Sequence, residues 1–210
     1  MTKKVAIIDY ESGNVFSVRQ ALNKIGVTPS VTADHDEIYS SDAVILPGVG
    51  AFSPAIERLK ASGLDQVIVE VAKKGVPVLG ICLGMQLLFE SSDEFGQHDG
   101  LGLIKGDVTK FSGLDENAKV PQTQWNEIFI SDMDTALFKG FDKNPYMYFV
   151  HSYYVRPANQ AAKIIKTNYC GLDYCCAIEQ DNIFAVQFHP ERSGEDGLKL
   201  MANFCSQIES

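Results

Sequence analysis

The sequence predicts an α/β fold in which helices flank a mostly parallel, doubly wound sheet that carries an antiparallel strand extension. In the first half, short runs of apolar and β-branched residues alternate with segments whose apolar residues recur every three or four positions. In the second half, strand-like runs follow one another with only short turns between them. Because no repeat, low-complexity stretch or linker separates the halves, we expect residues 1–210 to form one domain.

Buried strands of the first half are expected where several apolar residues run together without alternation. These runs are residues 3–9, 29–33, 43–46 and 76–81. Helices are expected between them, because the apolar spacing there is helical and glycine marks most of their ends. Three of the predicted helices are 15–25, which ends before Gly26, 67–74, which ends before Gly75, and 85–90. Another begins at an N-cap residue, Ser53, has Pro54 at its first position, and ends at Gly63.

The second half consists mainly of predicted strands rich in aromatic and β-branched residues. They are residues 101–111, 125–131, 146–155, 162–168, 174–180 and 183–188. The dipeptide Asp181-Asn182 predicts a hairpin turn between the last two strands. A helix over 194–208 is predicted to close the chain, because Leu198, Met201 and Phe204 share one helical face.

The charge and hydropathy of the chain restrict its partners. With 18 Lys and Arg against 27 Asp and Glu, the formal net charge is −9, which disfavours nucleic acid and anionic membranes as the main partner. No apolar run approaches the roughly 18 residues of a membrane-spanning helix. The residues that follow Met1 predict a strand rather than a secretory leader. We therefore expect a cytoplasmic protein.

Cysteine and histidine usage agrees with that expectation. The five cysteines are an odd number and are unevenly spread, which favours free thiols in a reducing compartment. No C-x-x-C pair occurs and the four histidines are scattered, so we predict neither a metal site nor a cofactor. The adjacent Cys175 and Cys176 are expected to pack on opposite faces of a strand rather than to act as a redox sensor.

The first chemical motif is Gly80-Ile81-Cys82-Leu83-Gly84, at a predicted strand-to-helix junction. A nucleophile on such a turn is pushed out of the sheet at its carboxyl edge, and flanking glycines are needed where neighbouring backbone leaves no room for a Cβ. The N-terminal end of the following helix favours a thiolate and offers amides to an oxyanion. The motif also fits a small buried cysteine packed between two glycines.

The second motif, Gln187-Phe188-His189-Pro190-Glu191, follows the last predicted strand. Pro190 keeps the backbone of His189 extended, and residues two apart in an extended chain point to the same side. Glu191 can therefore accept the imidazole N–H and fix its tautomer, which completes a nucleophile–base–orienter triad with Cys82. Taken alone, the motif is also compatible with a surface histidine beside a glutamate.

A glycine-rich loop, Pro47-Gly48-Val49-Gly50-Ala51-Phe52, joins the third strand to a helix. Because glycine has no side chain, the backbone N–H groups of such a loop can face an anion. The loop is compatible with three roles: it could bind a phosphate group, form an oxyanion hole that faces Cys82, or be a plain turn. The phosphate-loop motif itself is absent, because no Gly-Lys-Ser/Thr follows.

Together, the segments G-I-C-L-G-M-Q, Q-F-H-P-E-R-S and P-G-V-G-A-F resemble the motifs of class I glutamine amidotransferases. Further segments make the chain similar, over essentially its whole length, to the glutaminase subunits of imidazole glycerol phosphate synthases. They are Asp9-Tyr10 with Ser12-Gly13-Asn14, Trp125-Asn126, and Tyr148-Phe149-Val150-His151-Ser152-Tyr153.

The resemblance implies that the chain hydrolyses L-glutamine to glutamate and passes the ammonia to a separate TIM-barrel synthase subunit, in a heterodimer that serves histidine biosynthesis. It implies that Cys82 forms a γ-glutamyl thioester, that His189 is the acid and base, and that Glu191 orients His189. It also implies an oxyanion hole, which in this family is thought to rearrange when the partner is loaded. The amides assigned to that hole are those of Val49, Gly50 and Leu83.

By the same resemblance, glutamine is held by Gln86, Glu94, His151 and Ser152. A carboxylate suits the α-ammonium group of the substrate, and N–H or hydroxyl donors suit its α-carboxylate. From the residues alone, Glu94 could equally be a solvated carboxylate at a helix end, and His151 a strand histidine with internal partners. Trp125 and Asn126 are assigned to the synthase interface, where aromatic anchors are common, although a core position also suits Trp125.

Two segments depart from the family pattern. Where the family commonly has P-H-M-G-W-N, this chain has Pro121-Gln122-Thr123-Gln124-Trp125-Asn126, and Glu11 stands where a glycine is usual. Neither departure touches the triad, and both are expected near the partner-facing side. They leave open a related subunit that serves surface-sugar amidation. The sequence also leaves open a stand-alone cysteine hydrolase of γ-glutamyl or peptide substrates, and a flavodoxin-like binding module in which Cys82 is structural.

Overall fold

The computed structural model describes residues 3–11, 14–116, 118–130, 135–159 and 161–208. The strands in these residues are β1 (Val5–Ile8), β2 (Ser30–Thr32), β3 (Ala43–Leu46), β4 (Val78–Ile81), β5 (Phe89–Ser92), β6 (His98–Asp99), β7 (Ile104–Lys110), β8 (Gln122–Phe129), β9 (Tyr146–His151), β10 (Tyr153–Pro157), β11 (Lys163–Tyr169), β12 (Leu172–Gln180) and β13 (Ile183–Val186). The α-helices are α1 (Val15–Lys24), α2 (His35–Tyr39), α3 (Phe52–Ser62), α4 (Leu64–Lys73), α5 (Leu83–Leu87) and α6 (Gly194–Ser206), and a 3-10 helix over Pro190–Arg192 precedes α6.

The centre of the sheet is parallel, as the sequence predicts. β2, β1, β3, β4 and β13 lie side by side in that order and run in the same direction. Beyond β13, the strands β12, β10 and β7 continue the sheet with antiparallel pairings, and β11, β8 and β9 branch from β12. The α/β fold with an antiparallel extension is therefore confirmed. Parallel strands end on one edge, so the segments after β3, β4 and β13 begin close together.

Helices cover both faces of the central strands, which explains why these strands are apolar at every position. Val5 and Ile7 face a core shared with α1 and α6, whereas Ala6 and Ile8 face a core shared with α2, α3 and α4. In α6, Met201 and Phe204 are buried in the first of these cores and Leu198 packs against it, which confirms the predicted apolar face of that helix.

The neighbouring cysteines of β12 show the same alternation. Cys175 and Cys176 belong to the two different cores, as the sequence predicts for successive strand residues. Burial raises the pKa of Cys175 to about 12 and that of Cys176 well above its usual value. Both thiols are therefore packing groups rather than reactive ones.

The start of α3 differs from the prediction. The helix begins at Phe52, and its N-cap residue is Ala51 rather than Ser53, with no cap from its own side chain. The carboxylate of Glu94 accepts the Phe52 N–H instead, at 2.7 Å. A residue distant in sequence thus satisfies one of the amides that a helix start leaves unpaired, and local sequence signals do not contain that information.

The predicted helix over 85–90 is wrong in its second half. α5 ends at Leu87, and β5 begins at Phe89, where pairing with β7 replaces the helical hydrogen bonds. Glu94 therefore follows a strand and is only 9 % exposed, so it is not a solvated residue at a helix end.

Smaller differences occur elsewhere in the chain. The short helix α2 is not predicted, although Asp34 caps it by accepting the Glu37 N–H. The predicted strand 146–155 is two strands, β9 and β10, separated at Ser152. The predicted strand 125–131 starts earlier, at Gln122, and Ser131 lies outside the described residues. In the described part of the chain, no helix has the length and apolar character needed to cross a bilayer.

Among the described glycines, Gly84 leaves the least room for a Cβ, at the point where α5 passes β3. A Cβ at Gly84 would lie 1.8 Å from the carbonyl oxygen of Leu46, and a backbone atom cannot swing aside as a side chain can. We expect Gly84→Ala to lower the free energy of unfolding by about 3 kcal/mol or more. Urea unfolding followed by circular dichroism measures the change.

Gly75→Ala is the matched control for that substitution. Gly75 has φ +85°, and among the described residues no heavy atom lies within 4 Å of a Cβ placed there. It should cost only the penalty of a left-handed conformation, about 1–2 kcal/mol. A Gly84→Ala protein that unfolds at the wild-type urea concentration would contradict the steric argument.

Candidate active site

Cys82 occupies the turn between β4 and α5 in a backbone conformation that side chains rarely adopt. Its φ is 55° and its ψ is −108°, and its N–H donates to the carbonyl oxygen of Val186 at 2.8 Å. The residue is 6 % exposed. Such strain persists only where the surrounding structure imposes it, and it is concentrated at functional sites.

The glycines on either side of Cys82 allow the turn to close. A Cβ at Gly80 would lie 2.7 Å from Leu88 Cδ1 and 2.9 Å from the carbonyl carbon of Gly84, and Gly84 has the contact with Leu46 described above. The sequence argument for flanking glycines therefore has a direct steric basis.

His189 and Glu191 form a buried pair after β13. The backbone of His189 is extended, with φ −101° and ψ 93°, and its Nδ1 lies 2.8 Å from Glu191 Oε1. Glu191 lies in the 3-10 helix. The two side chains are therefore brought together by one tight turn, whereas the sequence predicts an extended backbone between them. The amide of Asn14 also contacts Glu191 Oε1 and lies 3.5 Å from His189 Nδ1.

The structure brings His189 close to Cys82. Burial lowers the pKa of His189, but the nearby sulfur of Cys82 and the carboxylate of Glu191 outweigh the effect of burial and raise that pKa to about 10. Because Nδ1 faces Glu191, Nε2 is the ring atom left for Cys82. Nε2 is buried and has no hydrogen-bond partner among the described residues.

A cavity of about 260 Å³ opens beside the sulfur of Cys82. The residues assigned to the nucleophile, the oxyanion hole and glutamine binding all line it: Val49, Gly50, Cys82, Leu83, Gln86, Glu94, His151 and Ser152. Sequence reasoning missed three further lining residues, Pro121, Val150 and Tyr153, of which the last two flank the His151-Ser152 pair. Among the described residues, no group of three or more His, Cys, Asp or Glu side chains could hold a metal ion.

Two acceptor groups face this cavity. Burial raises the pKa of Glu94 and the hydrogen bond from the Phe52 N–H opposes that rise, so the carboxylate gains from a cationic partner. The amide nitrogen of Gln86 donates to the carbonyl oxygen of Tyr153 at 3.0 Å and to Gln187 Oε1 at 3.1 Å. Since both N–H groups of Gln86 are used, its Oε1 is the atom left for a ligand.

The ring of His151 is engaged within the protein. Nδ1 lies 2.8 Å from the carbonyl oxygen of Tyr153, which can only accept, so Nδ1 carries the proton. Burial lowers the pKa of His151 to about 4, so the ring is neutral, and its Nε2 lies 3.1 Å from the Tyr174 hydroxyl. The His151-Ser152 segment therefore offers a ligand its backbone and the Ser152 hydroxyl, not the imidazole.

The departing segment 121–126, which we expect near the partner-facing side, is not exposed throughout. Gln122 is fully buried, and its side-chain amide lies 2.8 Å from the Tyr174 hydroxyl. It therefore belongs to the network that holds His151. Thr123 and Gln124 are exposed. Glu11 is also exposed, with a φ of 61°.

Trp125 lies on the surface, not in the core, since it is 50 % exposed. Its ring centroid is 6.1 Å from that of Tyr148, which in turn lies 6.5 Å from the ring of His189. Asn126 has a different environment, because its amide donates to Thr167 Oγ1 and to the Asn168 carbonyl and so ties β8 to β11.

Comparisons with known proteins identify the family that the chain resembles. The family described as "Glutamine amidotransferase class-I" matches residues 6–208. The chain is 46 % identical over 202 residues to "Imidazole glycerol phosphate synthase subunit HisH" of Sulfurimonas denitrificans, covering 95 % of this chain and 96 % of the relative. The protein of the same name from Moorella thermoacetica is also 46 % identical, with 96 % and 94 % covered.

Solved structures share the fold at lower identity. One titled "Crystal structure of glutamine amidotransferase" superposes with a TM-score of 0.76 at 14 % identity, covering 97 % of this chain and 98 % of its own. "Structure of PurLQS from Thermotoga maritima" gives 0.74 at 21 % identity and covers both chains fully. The chain belongs to the class-I glutamine amidotransferases and, within them, to the family of the HisH subunits of imidazole glycerol phosphate synthase.

Proposed function

We propose that this protein is the glutaminase subunit of an imidazole glycerol phosphate synthase in histidine biosynthesis, with residues 1–210 acting as one amidotransferase domain. It hydrolyses L-glutamine to glutamate and ammonia, and passes the ammonia to a TIM-barrel synthase subunit. The observation that carries the proposal is Cys82 on its strained turn, beside the His189–Glu191 pair and at the wall of a cavity that contains Glu94. The names of the curated relatives favour this pathway over surface-sugar amidation.

The chemistry follows from the protonation of His189. With a pKa of about 10, the ring is an imidazolium at neutral pH, and an imidazolium beside the sulfur favours the thiolate. The thiolate attacks the side-chain amide carbon of glutamine, and His189 gives its proton to the departing nitrogen, which leaves as ammonia. Neutral His189 then takes a proton from water, whose hydroxide attacks the γ-glutamyl thioester and releases glutamate. Glu191 holds the imidazolium in place throughout.

The oxyanion of each tetrahedral intermediate needs hydrogen-bond donors close to the β4–α5 turn that carries Cys82. Leu83 is the first residue of α5, so its amide has no carbonyl within the helix to bind. Across the cavity, Gly50 has a φ of 102°, a conformation that favours glycine. We assign the oxyanion hole to the amides of Leu83, Val49 and Gly50.

Substrate binding follows from the acceptors and donors of the cavity. Glu94 and Gln86 Oε1 bind the α-ammonium group, since a partly buried carboxylate gains from a cation. Ser152 and the backbone beside His151 bind the α-carboxylate. A cavity of about 260 Å³ suits an amino acid better than a peptide, which argues against a peptide hydrolase.

The surface around the cavity supports a partner that receives ammonia. Two exposed apolar side chains lie at or near the site: Val49 lines the cavity, and Trp125 contacts Tyr148, whose ring lies 6.5 Å from that of His189. Exposed apolar groups collected around a site mark an interaction surface. We assign this surface to the synthase subunit.

Cys82→Ala should reduce glutamine hydrolysis by roughly 10³-fold or more, because no other group forms the thioester. Glutamate release by the complex with the synthase subunit measures the loss, and synthase activity with added ammonia should remain. Cys170→Ser is the matched control, since Cys170 lies between β11 and β12 and does not line the cavity. Wild-type turnover by Cys82→Ala would refute the assigned nucleophile, and full activity without any partner would favour a stand-alone hydrolase.

The rate of glutamine hydrolysis should fall as the pH rises through about 10, because His189 then loses the proton that it gives to ammonia. Glu191→Gln removes a negative charge that stabilises the imidazolium, so it should move this fall to lower pH by about one unit or more. The pH profile of kcat tests both statements. Glu195→Gln, at an exposed acid of α6, should leave the profile in place.

Glu94→Gln should raise KM for glutamine roughly 10–100-fold with a smaller effect on kcat, because a neutral amide still accepts the Phe52 N–H but no longer pairs with the α-ammonium group. Steady-state kinetics at saturating partner subunit give both constants. Asp93→Asn is the control, since that exposed carboxylate binds Thr109 instead of lining the cavity. An unchanged KM in Glu94→Gln would remove Glu94 from the substrate site.

A further inference from the structure

Behind the sulfur of Cys82 lies a fully buried glutamine that the mechanism above does not use. Gln187 follows β13 and is 0 % exposed, and its backbone N–H donates to the carbonyl oxygen of Cys176 at 2.8 Å. Its side chain lies between Cys82 and Gln86, with Nε2 3.7 Å from the sulfur and Oε1 3.1 Å from Gln86 Nε2. It does not line the substrate cavity.

The orientation of the Gln187 amide follows from the hydrogen bonds that Gln86 makes to Tyr153 and to Gln187. The carbonyl oxygen of Tyr153 can only accept, so the group of Gln86 that faces it at 3.0 Å is the amide nitrogen. The second N–H of Gln86 then donates to Gln187, so the oxygen of Gln187 faces Gln86. The nitrogen of Gln187 is therefore the end that faces the sulfur.

The sulfur of Cys82 has a second polar neighbour, the carbonyl oxygen of Val150, which cannot donate a hydrogen bond. The carbonyl oxygen of Val150 lies 3.9 Å from Cys82 Sγ and can accept a thiol hydrogen. Once the thiol is ionised, that carbonyl only repels the negative sulfur, whereas an N–H directed at the sulfur stabilises it. Gln187 thus favours the form of Cys82 that attacks, and holds it on the side opposite the substrate.

We propose that Gln187 donates a hydrogen bond to the Cys82 thiolate and, by accepting from Gln86, fixes the Gln86 oxygen toward the substrate. This inference rests on the proposed function, in which Cys82 is the nucleophile. The conformation of the sulfur and the polarity of the cavity wall are therefore set by one buried amide.

The test is the pH dependence of Cys82 alkylation by iodoacetamide on the full chain, quantified by mass spectrometry of the peptide that contains Cys82. Gln187→Glu keeps the acceptor for Gln86 but, when ionised, has no donor for the sulfur and adds a negative charge beside it. Its alkylation midpoint should rise by about one pH unit or more. Gln187→Met keeps the volume, loses both hydrogen bonds, and should shift the midpoint in the same direction by less. Gln66→Glu, on the exposed face of α4, is the matched control.

Glutamine kinetics of the complex with the synthase subunit separate the two roles. In Gln187→Glu, kcat should fall about tenfold or more while KM changes less than about threefold, because the Gln86 contact is kept. The proposal would be overturned if the alkylation midpoints of both Gln187 variants lay within about 0.2 pH unit of the wild-type midpoint. It would also be overturned if Gln187→Glu raised KM for glutamine and left kcat unchanged. Gln187→Met decides the question if the charged variant does not fold.

Failure of the proposed function is a separate outcome. A shifted alkylation midpoint in a protein that hydrolyses no glutamine, even with its partner, would support the role of Gln187 and refute the glutaminase. Normal glutamine hydrolysis together with unshifted alkylation midpoints in both Gln187 variants would support the glutaminase and refute the role of Gln187.

Discussion

The candidate site depends on the contact between the β4–α5 turn and the end of β3. Gly84 lies so close to the Leu46 carbonyl that no Cβ fits between them, and Cys82, two residues earlier, has a positive φ. Gly48 of the opposite loop also packs closely, because a Cβ there would lie 2.5 Å from the Tyr10 hydroxyl and 3.0 Å from Leu83 Cβ. The two loops therefore meet here without intervening side chains. The packing of the two cores stabilises the strained turn.

Around this turn, the orientations of two polar side chains follow from the groups that they contact. Carbonyl oxygens that can only accept fix the proton on His151 Nδ1 and the orientation of Gln86. These pairings leave Gln86 Oε1 available to the cavity, which the Glu94 side chain and the strained Cys82 also line. A site built in this way binds its ligand with little rearrangement of side chains, because their orientations exist before the ligand arrives.

The sequence predicts the parallel half of the fold well, since strands buried on both faces and glycine-ended helices leave local signals. The predicted strand 43–46 coincides with β3, and the motifs around Cys82 and His189 indicate the residues that the structure brings together. The helix start capped by Glu94 could not be predicted, because its partner is 42 positions away. The burial of Gln122 was missed for a related reason, since the network that takes it up joins β8, β9 and β12. Local patterns show what a residue can do, whereas its partners depend on the tertiary fold.

Glu94 serves two different groups at once. One oxygen anchors the first amide of α3, directly after the glycine loop, and the same carboxylate faces the cavity. The start of α3 and the wall of the cavity therefore share one negative charge, and a change in the ionisation of Glu94 would alter both.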